Sequence, residues 1–207
     1  MASKFRVRHI FKPLVKAIAS GLSKIGVSPN MATIIMLGFA ILSLISLGFF
    51  ENLLLFSIFV FTTGIFDGVD GAIARLKGKS TKIGAFLDST MDRVSEFIIF
   101  LALLLYCWNE LIFLIDMKLI IMISFFCSLM ISYSRARAEN FFKGDFDVGL
   151  MARSERLFYL VITSIIAHFF GFMNEFIFIF MWLVIGTVLF RFFKFNNIIK
   201  ENENKSN

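Results

Sequence analysis

Residues Thr62–Glu96 read TTGIFDGVDGAIARLKGKSTKIGAFLDSTMDRVSE, and the chemistry of this stretch is out of place in its surroundings. Four aspartates, Asp67, Asp70, Asp88 and Asp92, stand among Ile, Phe, Leu and Gly, with strongly apolar sequence on either side. An ionisable residue at membrane depth costs about 2.5–3.5 kcal/mol on insertion scales, so it points to function. Four carboxylates together also repel one another unless a cation is present.

The surroundings are made for lipid. Of 207 residues, 58% are hydrophobic and 29 are Phe, and the mean hydropathy is +0.82. Soluble domains average roughly 45–50% apolar residues. Six segments are apolar enough and close enough to 20 residues to cross roughly 30 Å of hydrocarbon. They are 31–50, 53–75, 83–106, 117–137, 152–172 and 176–193. Backbone groups in lipid pair within their own segment, which makes helices the default. The expected fold is an all-α integral membrane protein with six transmembrane helices. Residues 1–30 are expected to form an interfacial arm, 31–195 the six-helix transmembrane domain, and 196–207 a polar tail. The N-terminus lacks a compact apolar run followed by a small-residue cleavage site, so no cleaved signal peptide is expected. Cys107 and Cys127 lie inside apolar runs and read as small buried hydrophobes.

The basic residues set the orientation. Of 21 Lys and Arg, all but Lys118 and Arg93 fall on the N-terminal arm, the second-to-third connection, the fourth-to-fifth connection or the C-terminal end. Glu51, Glu110, Asp116 and Glu175 mark the opposite face. By the positive-inside rule both termini are cytoplasmic, in the cell membrane. The net charge of +6 is then a topology signal, and nucleic acid is not an expected partner. In the arm, Val7, Ile10, Phe11, Leu14, Val15, Ile18 and Leu22 recur at helical spacing between Lys and Arg. That pattern predicts an amphipathic helix lying in the headgroup plane, kinked or begun at Pro13.

Spacing then organises the aspartates. Asp67, Asp70, Gly71 and Ala74 share one face of the second span, and Gly84, Asp88 and Asp92 share one face of the third. In an antiparallel helix pair, residues at equal depth have position numbers of nearly constant sum. This puts Asp67 level with Asp92, Asp70 level with Asp88, and Arg75 level with Gly84 near the turn. Two carboxylate rungs make one compact all-oxygen site, which suits a hard divalent cation, Mg²⁺ or Mn²⁺. The small residues leave room for something flat or phosphorylated to approach the backbone.

The pattern Asp67-x2-Asp70-Gly71-x2-Ala74-Arg75-x8-Gly84-x3-Asp88-x3-Asp92 matches the signature of the CDP-alcohol phosphotransferases at all eight positions. The amphipathic arm, the stretch GVSPNMAT opening the first span, and the six helices extend the resemblance over the whole chain. It implies displacement of CMP from a CDP-linked lipid by an alcohol, in a homodimeric membrane enzyme of phospholipid biosynthesis. It further implies metal binding by Asp67, Asp70, Asp88 and Asp92, with Asp92 also the general base. Asn30, Thr33, Gly71, Ala74, Arg75, Thr81 and Gly84 would receive the CDP moiety.

The acceptor is read from Tyr133–Leu157, YSRARAENFFKGDFDVGLMARSERL, which gathers Arg135, Arg137, Arg153 and Arg156 around one connection. Arginine binds phosphate in a bidentate way, so these four form a candidate pocket for a phosphorylated acceptor. Glu139 and Glu155 are placed to orient them. The segment resembles the inositol-phosphate branch of the family, with Arg135 where Lys is common. Inositol 1-phosphate is the favoured acceptor; glycerol 3-phosphate, serine and free inositol are the alternatives. An ion-coupled transporter also places acids in spans, but internal repeats and mid-span Pro are lacking.

Overall fold

The computed structural model describes residues 7–78, 81–141 and 149–206. Among these are eight helices: α1 (Val7–Ile10), α2 (Lys12–Lys24), α3 (Pro29–Gly48), α4 (Leu53–Leu76), α5 (Lys82–Tyr106), α6 (Met117–Phe141), α7 (Arg153–Phe170) and α8 (Met173–Ser206). Four of them, α3, α4, α6 and α8, are long and apolar enough to cross a membrane. The other two long helices, α5 and α7, fall short of that standard for one shared reason. They carry Asp88, Asp92, Arg93 and Glu96, and Arg153, Glu155 and Arg156, respectively.

Local chemistry sets the helix starts. Ser28, Asn52 and Thr81 each stand just before a helix with a side-chain oxygen accepting from the backbone N–H three residues on. Pro13 occupies the first turn of α2, where its missing N–H costs nothing. The predicted single interfacial helix is therefore two, with the break at Phe11. Lys4 and Arg6 of the predicted arm lie outside the described residues.

A second departure is a two-stranded hairpin between α5 and α6, where only helices are expected. β1 (Leu111–Ile112) pairs antiparallel with β2 (Ile115–Asp116), Leu111 opposite Asp116. The two linking residues, Phe113 and Leu114, have φ of 47° and 66°. Left-handed backbone at both positions is what a tight two-residue turn demands, although neither residue is the Asn or Gly that usually signals it. α8 continues to Ser206, through the expected polar tail, because no Gly or Pro interrupts it after Gly186.

Packing centres on α3, which lies against both α4 and α5, while α7 lies on α4 and α8 on α6. The main core runs from Leu47, Phe56 and Val60 through Phe100 and Leu160 to Phe180 and Val184. A smaller cluster, including Ala19, Ile65, Val69 and Ile73, holds α2 on α4. Cys107 is buried and Cys127 half-buried, and both are free thiols, as the apolar runs predict.

The α2–α4 contact depends on Gly68, where an added Cβ would meet Val15 Cγ1 at 3.2 Å. Gly68→Leu is therefore expected to push α2 off α4 and destabilise the protein by about 1–3 kcal/mol. Thermal unfolding in detergent checks this, and Val15→Ala in the same chain should recover part of the loss.

Candidate active site

Three helices bring the aspartates together. α4 supplies Asp67 and Asp70, α5 supplies Asp88 and Asp92, and α3 lies against both. Carboxylate oxygens of Asp67, Asp88 and Asp92 all lie within 4.8 Å of one another. Asp67 and Asp92 thus stand together, as the spacing predicts for their rung. Asp70 is 3% exposed. Its Oδ2 accepts from Thr33 Oγ1 at 2.8 Å, and its Oδ1 accepts from the Gly71 N–H.

Such a cluster cannot stand without positive charge. Arg153, at the first turn of α7, provides some of it. Its Nη1 ion-pairs with both Asp67 and Asp92, and its Nη2 donates to Ser95 Oγ at 2.8 Å. Arg93 Nη1 lies 3.6 Å from Asp92 Oδ2. Four carboxylates against these two guanidiniums leave an excess of negative charge. Asp88 Oδ1 is buried and accepts no hydrogen bond among the described residues. A tight all-oxygen donor set with an orphaned buried oxygen fits a hard divalent cation well.

Around this centre lie the residues expected to receive the donor nucleotide. Arg75 folds back over Gly71, so that a Cβ there would meet its Nη1 at 3.3 Å. Ala74 is on the same helix face, and Asn30 is exposed in the first turn of α3. Thr33 is held at Asp70, as described. Thr81 caps α5: its Oγ1 accepts from Gly84 N at 3.0 Å and would press on any Cβ at Gly84. The small residue at 84 thus serves the cap as well as the opening.

The four arginines expected to form one pocket each have partners within the chain. Arg135 Nε donates to Glu139 Oε1 at 2.8 Å, one helical turn away on α6, as its spacing suggests. Arg137 lies over the Phe141 ring at 4.9 Å. Arg153 has gone to the carboxylates. Arg156 is a correction to the expectation, since it is 1% exposed and its guanidinium is engaged with Glu96 and the Met151 carbonyl. A group so enclosed presents nothing to a ligand. Glu155, expected to orient an arginine, accepts from Ser154 Oγ at 3.0 Å. Lys143, in the same connection, lies outside the described residues.

Three residues here escape the sequence reading. Ser95 holds Arg153, and Glu96 holds Arg156. Glu96 continues the i+4 series of Asp88 and Asp92, a signal available in the sequence. Arg191 reads there as ordinary topology charge, yet it is 2% exposed and its Nη1 donates to Ile131 O at 2.6 Å.

Comparison with known proteins identifies the family. Residues 26–193 match the family model described as CDP-alcohol phosphatidyltransferase. The chain is 36% identical over 164 residues to the archaetidylinositol phosphate synthase of Pyrococcus horikoshii, covering 77% of this chain and 81% of that protein. It is 34% identical over 163 residues to the phosphatidylinositol phosphate synthase of Mycobacterium tuberculosis, covering 77% and 72%. The crystal structure of the Mycobacterium tuberculosis phosphatidylinositol phosphate synthase with CDP-DAG bound superposes with a TM-score of 0.76 at 26% identity, over 88% of this chain and 94% of that one. The same enzyme in complex with manganese and citrate gives 0.75 at 27% identity, over 87% and 88%. The chain belongs to the CDP-alcohol phosphatidyltransferase family and is a transferase of that type.

Proposed function

We propose that this chain transfers the phosphatidyl-type group of a CDP-linked lipid to inositol phosphate, releasing CMP, at the cytoplasmic face of the cell membrane. The observation that carries the reading is the pair of carboxylate rungs with a buried, unpartnered Asp88 oxygen and an arginine at their edge. Kinship with synthases named for inositol phosphate products supports the acceptor. The clustering of Lys and Arg at one set of connections supports six spans with both termini cytoplasmic. A homodimer is part of the proposal through the family resemblance.

Asp67, Asp70, Asp88 and Asp92 would hold Mg²⁺ or Mn²⁺. An ion held there would supply Lewis-acid polarisation of the phosphoryl oxygens and charge stabilisation for departing CMP. Thr33 fixes the rotamer of Asp70, so that its carboxylate faces the site rather than the lipid. Arg75, together with the open backbone at Gly71, Ala74 and Gly84, receives the pyrophosphate and nucleotide, with Asn30 and Thr81 at the rim. Arg153, and Arg135 and Arg137 at the end of α6, attract the acceptor's phosphate. Asp92 takes the proton from the acceptor hydroxyl as its oxygen bonds to the lipid-side phosphorus. The pyrophosphate P–O bond breaks, and CMP leaves with the electron pair.

Purified protein is expected to release CMP only when divalent metal, CDP-lipid and inositol phosphate are all present. Free inositol, serine or glycerol 3-phosphate supporting equal turnover would replace the acceptor assignment. Asp70→Ala and Asp92→Asn are each expected to abolish CMP release, and turnover retained in either sinks the assignment of that residue. Thr33→Val removes only the hydroxyl behind Asp70, so metal affinity should fall about 10–100-fold without loss of the fold. A Mn²⁺ titration followed by electron paramagnetic resonance measures that shift without reference to activity.

A further inference from the structure

A second charged layer lies next to the carboxylate cluster, and the proposed chemistry does not use it. Arg156 Nε donates to Glu96 Oε1 at 2.8 Å, and Nη2 comes to the same oxygen at 2.6 Å. Arg156 Nη1 donates to Met151 O at 3.0 Å, and both charged side chains are 1% exposed. Glu96 follows Asp92 by one turn of α5, and Arg156 follows Arg153 by one turn of α7. Acids and bases therefore stand in two successive rungs, Asp92 with Arg153 and Glu96 with Arg156.

These rungs join helices that are not principal packing partners. α7 lies on α4, and α5 lies on α3, so long arginine side chains bridge the interval between α5 and α7. A slip of α7 by one turn would set Arg153 against Glu96 and take it away from Asp67. The inner rung opposes that slip, because it would leave a charge buried and unpaired. Stability alone does not call for such a pair, since well-packed apolar residues in place of a buried ion pair are often as stable or more so.

We propose that Glu96 and Arg156 are positioning residues whose ion pair sets the register of α7 against α5 and thereby holds Arg153 at the edge of the carboxylate cluster. The inference rests on the reading of Arg153 as a contact for the acceptor's phosphate.

The test compares Glu96→Leu/Arg156→Met with Arg153→Ala in the full-length protein. Thermal unfolding in detergent is measured first, then kcat and the separate KM values for CDP-lipid and inositol phosphate. The apolar double variant is expected to melt near the wild type yet to raise the inositol phosphate KM about tenfold, as one charge-assisted contact is lost. Arg153→Ala should raise the inositol phosphate KM at least as much, and the double variant, which leaves Arg153 and the carboxylates in place, should keep the wild-type KM for CDP-lipid. A purely structural pair would lower the folded fraction without moving either KM. A folded double variant with wild-type KM for inositol phosphate, beside a raised value in Arg153→Ala, overturns the positioning role alone. A normal KM in Arg153→Ala overturns the acceptor reading and this proposal together. If the double variant does not fold, Glu96→Gln, which keeps the shape and removes the charge, carries the same comparison and is read the same way.

Discussion

Carboxylates packed this closely have to be neutralised where they stand, since like charges at short range repel strongly. Much of the chain is arranged around that requirement. α4 and α5 present Asp67, Asp70, Asp88 and Asp92 to a common space, and α3 contributes the hydroxyl of Thr33. α7 brings Arg153 to Asp67 and Asp92, with Ser95 fixing the other arm of its guanidinium. The arrangement still holds more negative than positive charge, so affinity for a small, hard cation is built into the donor set.

The small residues of the motif take on a physical role in this setting. Helices in lipid gain little from apolar contact with each other, so close approach depends on shape. At Gly68 the absent side chain lets the amphipathic helix α2 settle on the outer face of α4. At Gly71, one turn further along, it gives Arg75 room to fold back along the helix. One helix thus uses neighbouring glycines for two purposes, one of packing and one of access.

The parts of the molecule legible in the sequence are those governed by a single helix or by an antiparallel helix pair. The length of the apolar runs located the long helices to within a few residues, save for the far end of α8. The near-constant position sum of an antiparallel pair sets Asp67 level with Asp92, where the structure has them. What escaped was set by contacts between elements remote in sequence. Arg153 and Arg156 stand three residues apart with similar neighbours, yet one reaches the carboxylates and the other is sealed against Glu96. Only the placement of α7 relative to α5 separates them. The hairpin at Leu111–Asp116 escaped for a local reason, since Phe113 and Leu114 take up left-handed backbone without the usual residues. α8 ran past its expected end because the polar tail lacks a helix breaker.

That last feature has a geometric corollary. At 1.5 Å per residue, the 34 residues of α8 extend about 50 Å, well beyond the roughly 30 Å of a hydrocarbon core. Some 20 Å of this rod must find company other than acyl chains. Part of that company is α6, where Phe195 and Ile198 close on Ala138. The final stretch, KENENK, balances two lysines against two glutamates, whereas α2 carries three lysines and no acid. An anionic surface would therefore attract α2 but exert little net force on the end of α8. The two ends of the chain are built as a float and a mast.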